Sequence, residues 1–243
     1  DGGNTDVDAY PAEIISWNNS TIVVQVNLYA GTGTIQVVGN GTATSAQTLT
    51  VPYAQTNAVY ESVPYPTRHI NRNDNGGYIW QMHTDFNNHS SANAAFVRAM
   101  DSWRCNSDVF WEIGSVTATD VIANDDVNIV RFDNGSELDE VNLGVCTSRF
   151  SGCYVGSSIE WYVEELDIVF NDGTNWNYDT DPPAFIEYDF ETVAVHELGH
   201  GHQLGHGIDA GDLMHFSVTN GAYNRDPGVT NLACAEDVQS RSI

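Results

Sequence analysis

Val195-His196-Glu197-Leu198-Gly199-His200-Gly201-His202-Gln203-Leu204-Gly205-His206 is the stretch that decides how this chain is read. His196 and His200 stand four residues apart. On a helix of about 3.6 residues per turn their imidazoles project from one face, one turn apart. Two rings so placed can reach one divalent ion at Zn–N distances of about 2.0–2.1 Å. Glu197 adjoins the first of them and points beside such an ion. There a carboxylate can take a proton from water and hand it to a leaving amine. His206 lies six residues past His200, beyond the helix end, and supplies a third nitrogen if a glycine-assisted turn brings it back. Three protein ligands leave a fourth corner for water, the pattern of a catalytic zinc site rather than a structural one.

Further along, Asp212-Leu213-Met214-His215 places Met214 eight residues after His206. The combination resembles the metzincin metallopeptidases, whose pattern is H-E-x-x-H-x-x-G-x-x-H followed by a methionine turn, and the short interval to Met214 is most similar to the matrixin branch. The resemblance implies zinc on His196, His200 and His206, Glu197 as general base, and Met214 as a floor beneath the ion that does not ligate it. It implies protein or peptide substrates and an α+β fold: a twisted mixed sheet with three helices and a small C-terminal subdomain. Branches that add a tyrosine ligand carry it two residues after the methionine; Phe216 stands there and offers no ligand atom. One position departs from the pattern. Gln203 replaces the motif glycine, where the chain turns sharply and a side chain costs energy. With Gly201 and Gly205 on either side, the turn is expected to shift by a residue or two. His202, two residues from His200, lies on another helix face and reads as a solvated residue or one supporting a ligand. His215 reads as a structural, hydrogen-bonded histidine.

Outside this stretch the composition narrows the partners. There are 33 acidic residues against 8 basic ones, all of them Arg, for a net charge of −25. Phosphate backbones and anionic membrane surfaces would be repelled. No run approaches the roughly 18–20 apolar residues that span a bilayer. The Lys-free acidic surface suggests a saline habitat. No apolar leader precedes Asp1, which leads to the expectation that any export signal has been removed. Cys105, Cys146, Cys153 and Cys234 are an even set that suits two disulfides in a secreted protein. Cys146 and Cys153 bracket a Ser/Gly-containing segment read as a turn, which would leave Cys105 with Cys234.

Two domains are expected, at 1–65 and 66–243. In the first, Ile14–Trp17, Thr21–Val26, Gly33–Val38 and Ala46–Val51 are short β-branched runs punctuated by turn residues. Their order is similar to part of an Ig-like β-sandwich of the IPT/TIG type, a segment that precedes the peptidase in secreted proteins of Bacteroidetes. In the second, strands are predicted at 78–82, 127–132 and 165–170. Ala92, Ala95, Phe96, Ala99, Met100 and Trp103 form one stripe of an amphipathic helix over 91–104, capped by Ser90 or Ser91. Helices are also predicted over 189–203 and 233–240. Oxygen-rich loops at 73–77, 171–175 and 179–181 are candidates for a structural Ca²⁺, although Asp, Asn and Gly are also ordinary turn formers. Glu160, Glu164 and Glu165 read as a solvated strand face. These features together predict a secreted, monomeric zinc endopeptidase. A metal hydrolase acting on a non-peptide bond, or an adhesin-type glycan- or protein-binding module with a degenerate zinc site, are the rival readings.

Overall fold

The computed structural model describes residues 8–26, 30–61, 63–135 and 137–242. Of the expected N-terminal domain, residues 1–7, 27–29 and 62 lie outside this set. Strands β1 (Ile14–Trp17) and β2 (Ile22–Val24) form one antiparallel hairpin, and β3 (Gly33–Val38) and β4 (Thr42–Leu49) form another. The first turns on Asn18, whose Oδ1 accepts the backbone N–H groups of Ser20 and Thr21 at 2.9 Å. These are two separate two-stranded sheets, which among the described residues do not by themselves make up the expected partial sandwich. A sandwich core needs inward-facing residues from both sheets, and here the candidates face solvent: Ile15 is 67% and Trp17 58% exposed. The local strand signals are correct, but the described strands enclose no core.

The strands β5 (Ala54–Gln55), β6 (Asn57–Tyr60) and β7 (Val63–Arg68) straddle the expected boundary at 65/66 and belong to sheets that strands from later in the chain complete. The main sheet adds β8 (Ile79–Met82), β9 (Glu112–Ile113), β10 (Asn128–Phe132), β11 (Gly144–Val155) and β12 (Ser158–Phe170). Its order is β6-β7-β12-β10-β8-β9, with β11 antiparallel along the other edge of β12. β7, β8, β9, β10 and β12 pair in parallel, and β6 closes the far edge antiparallel to β7. The sheet is therefore mixed, as expected of the α+β class.

The β11–β12 hairpin corrects two expectations. The segment from Cys146 to Cys153 is a continuous strand, and the chain turns at Gly156, whose φ is 64°. Seven strand residues span about 23 Å at 3.3 Å each, far beyond the roughly 4.4–6.8 Å between the Cα atoms of a disulfide. All four cysteines are free, with Cys234 buried and Cys105 exposed. Glu165 is buried rather than solvated: it accepts the Asp125 N–H at 2.9 Å and faces Arg149.

Four α-helices complete the described residues. α1 (Thr84–Asn88) is one short turn, and α2 (Ser90–Arg104) buries all six stripe residues from Ala92 to Trp103. The cap of α2 is His89, whose Nδ1 accepts the Ala92 N–H at 3.2 Å, instead of a serine. A small parallel pair, β13 (Trp176–Asn177) and β14 (Tyr188–Asp189), leads into α3 (Phe190–Gly201). α3 is followed by β15 (Leu204–Gly205), which pairs with β5, and the chain ends with α4 (Gly228–Ser240). α2 and α3 pack against each other and the sheet around Trp80, Trp103, Phe86, Phe96, Phe170 and Phe190. No helix among the described residues is long and apolar enough to cross a membrane. In the oxygen-rich loops the side chains serve as turn braces. Asn73 Oδ1 accepts the N–H groups of Asn75 and Gly77, and Asn171 Oδ1 that of Gly173. No three carboxylates, histidines or cysteines converge there among the described residues.

Candidate metal centre

The site is built on α3. Asp189 caps it: its Oδ2 accepts the N–H of Thr192 at 2.9 Å and the Thr192 hydroxyl at 2.7 Å. Arg225, from the segment after the methionine turn, closes on the same carboxylate through Nε at 2.9 Å and Nη2 at 2.5 Å. The same guanidinium donates to the carbonyls of Thr180 and Asp179, tying three stretches of chain to the start of the helix.

About two and three turns on, His196 and His200 project from one face, and the chain returns His206 to meet them. His206 Nε2 lies 3.2 Å from His196 Nε2 and 3.0 Å from His200 Nε2. A tetrahedral zinc with bonds of about 2.05 Å separates its ligand nitrogens by about 3.3 Å, so the rings fit one ion. Their orientation fits as well. His196 Nδ1 faces the Leu213 carbonyl and His200 Nδ1 the Leu204 carbonyl, each at 2.8 Å. A carbonyl only accepts, so both Nδ1 atoms carry the proton and both Nε2 atoms present lone pairs. Burial holds all three rings neutral: it lowers His196, takes His200 to about 3 and His206 to about 4. Neutral imidazoles whose Nε2 atoms converge are a donor set for a cation. Among the described residues no other group of three histidines, cysteines or carboxylates does the same.

Glu197 is buried beside the triad, and burial raises its carboxyl to about 8, opposed by the Cys146 N–H. Room for it depends on Gly144 at the start of β11, where a Cβ would stand 3.0 Å from Glu197 Cγ and 3.1 Å from Oε1. Met214 is buried under α3, and its sulfur fills the space that a side chain at Gly199 would need. The turn around it is held by Asp212, whose Oδ1 accepts the Met214 N–H at 2.8 Å and Asn231 Nδ2 at 2.7 Å. Gly207 N–H donates to the Met214 carbonyl at 2.7 Å, which joins the His206 turn to the methionine turn. The result is a cleft of about 340 Å³ bordered by two of the three histidines. Its walls are Glu197, His200 and His206 on one side and Gly144, Val145 and Cys146 of β11 on the other.

A family model for Matrixin matches residues 72–227, more than half of the chain. The chain belongs to the matrixin family. No curated protein matches it. Matrixins are zinc-dependent metallopeptidases, in accord with the donor set above.

The matrixin pattern also exposes what the sequence misplaced. Gln203 takes the left-handed conformation itself, with φ 68°, so the turn is not displaced towards Gly201 or Gly205. His202 is neither solvated nor part of the histidine triad. It is buried between the rings of Trp103 at 4.4 Å and Trp111 at 4.1 Å, and burial drives it well below its usual range. His215 is the structural residue expected, with Nδ1 2.7 Å from the Ser217 carbonyl. The carbonyls of Leu204 and Leu213 and the side chain of Asp212 escaped sequence reading. Backbone acceptors leave no residue signature, and of these only the Asx spacing of Asp212 before Met214 was visible in principle.

Proposed function

We propose that this matrixin is a secreted, monomeric zinc endopeptidase in which Glu197 is the general base. The observation that carries the reading is the convergence of the three Nε2 atoms beside a buried carboxylate. Zinc bound there would polarise a scissile carbonyl and acidify water. The chain's own groups do the rest. His196 and His200 are held in one tautomer by carbonyls of the two turns that follow α3, and His206 closes the triad. Glu197, kept from bulk water and from other acids, takes a proton from the attacking water and later gives it to the departing nitrogen. Its high proton affinity suits the second step, and a nearby cation lowers it for the first.

Substrate geometry is set by β11. Its partner β12 occupies one edge, and three consecutive residues, 144–146, border the cleft. Consecutive residues alternate in the direction of their side chains, so it is the backbone edge that faces the cleft. An unpaired edge can accept an extended peptide as a further strand. From Gly144 to Phe150 the border spans about 20 Å, enough for roughly six extended residues. This favours a peptide over a small ester or a glycan.

Glu197→Ala is expected to abolish hydrolysis of casein while zinc content stays at the wild-type level. Casein cleavage by that variant at a comparable rate refutes the role of Glu197.

A further inference from the structure

Gln203 carries two costs that a glycine would avoid. Its backbone sits in the left-handed region, which disfavours any side chain. Its amide is wholly buried, and its Oε1 finds no hydrogen-bond partner among the described residues. The amide nitrogen, by contrast, is fully engaged. Nε2 donates to Ser148 Oγ at 3.0 Å and lies 3.3 and 3.4 Å from the carbonyl oxygens of His200 and Gly201. Ser148 is a residue of β11 that borders the cleft together with His200. The backbone of Gln203 is gripped as well, because its carbonyl accepts the N–H of Thr56, another residue lining the cleft, at 2.8 Å.

We infer that Gln203 is a positioning residue that ties β11 to the end of α3 and so sets the width of the substrate cleft at Ser148. The inference rests on the endopeptidase reading above. The groups that do chemistry are oriented by other means: the Leu204 and Leu213 carbonyls hold two of the rings, and α3 itself carries Glu197. The brace therefore acts on the strand that holds substrate, in the ground state and the transition state alike. Loss of such uniform binding raises KM and spares kcat.

The test uses Gln203→Gly, which relieves the backbone, and Gln203→Met, which keeps the volume but lacks the donor. Each is combined with Ser148→Ala and assayed on zinc-loaded protein with one fluorogenic peptide. Both Gln203 variants should raise KM about three- to tenfold, as the loss of one hydrogen bond predicts, with kcat within about twofold. Ser148→Ala should raise KM similarly, and the double variants should add nothing more, because both changes break one contact. Hydrogen exchange at residues 145–150 should quicken in both Gln203 variants, with zinc content unchanged. Wild-type KM in both Gln203 variants, effects that multiply with Ser148→Ala, or unaltered exchange in β11 would each overturn the inference. If the wild-type protein cleaves no peptide, the endopeptidase reading falls, and exchange in β11 decides the brace alone.

Discussion

Replacing Arg225 with methionine isolates the contact that fastens the C-terminal part of the chain to α3. The Asp189 side chain is fully buried and that of Arg225 17% exposed, and the pair is bidentate. The carboxylate holds the guanidinium proton more tightly than usual, raising its pKa. Removing one partner of a buried pair costs about 3–5 kcal/mol, because the survivor stays charged without compensation. Two features soften this cost. Asp189 still accepts two bonds from Thr192 and still lies at the positive end of α3. We therefore expect a loss of about 2–4 kcal/mol for Arg225→Met. In a chain of this size each kcal/mol moves Tm by about 2–4 °C, so the shift should be about 4–16 °C. Urea unfolding should show a lower midpoint with an unchanged slope. Asp189→Asn keeps an N-cap acceptor and removes the stranded charge, so it should cost less than Arg225→Met. If Arg225→Met costs under about 1 kcal/mol, or if Asp189→Asn is the worse of the two, the clamp is not a buried ion pair.

Two more outcomes are expected from close packing and buried charge. Gly144→Ala should press Glu197 out of place by a few tenths of an ångström and lower kcat about 10- to 100-fold, while zinc content and Tm stay near wild type; a kcat within twofold would show that the carboxylate has slack. His69 is buried, and burial lowers its pKa from 6.5 to about 4. The unfolded chain then binds the extra proton first, so the neutral ring's contribution is complete above about pH 6.5 and fades as pH falls towards 4. The stability difference between wild type and His69→Gln should accordingly shrink by about 3 kcal/mol between pH 7 and pH 4, and urea titrations at the two pH values that gave the same difference would contradict it.

The histidine cluster was legible because its signal is local. A helical spacing of four, a histidine six residues on and a methionine turn need no distant partner to be recognised. The stripe of α2 was legible for the same reason, since a 3.6-residue period reports one face of one helix. What escaped was set by tertiary pairing. Ser151 and Gly152 look like a turn, yet the long antiparallel partner β12 overrides their preference and keeps both of them paired in the strand. His202 has the composition of a surface residue, and only the approach of Trp103 and Trp111 makes it a core one. At Gln203 the family glycine suggested that the turn must move, but a buried hydrogen bond offsets the strain and the turn stays. The N-terminal runs were read correctly as strands, while the described ones form two separate hairpins, because strand signals say nothing about how many sheets will enclose a core.

The pairing of β5 with β15 has a practical edge. The likeness to matrixins begins at residue 72, and a fragment trimmed to it would look complete by sequence. It would nonetheless lack Ala54 and Gln55, which seat the loop between the second and third histidines, and Thr56, which walls the groove above them. Such a truncated enzyme should bind its ion loosely and lose activity for a reason invisible in its own sequence, and restoring some twenty residues upstream should be the remedy.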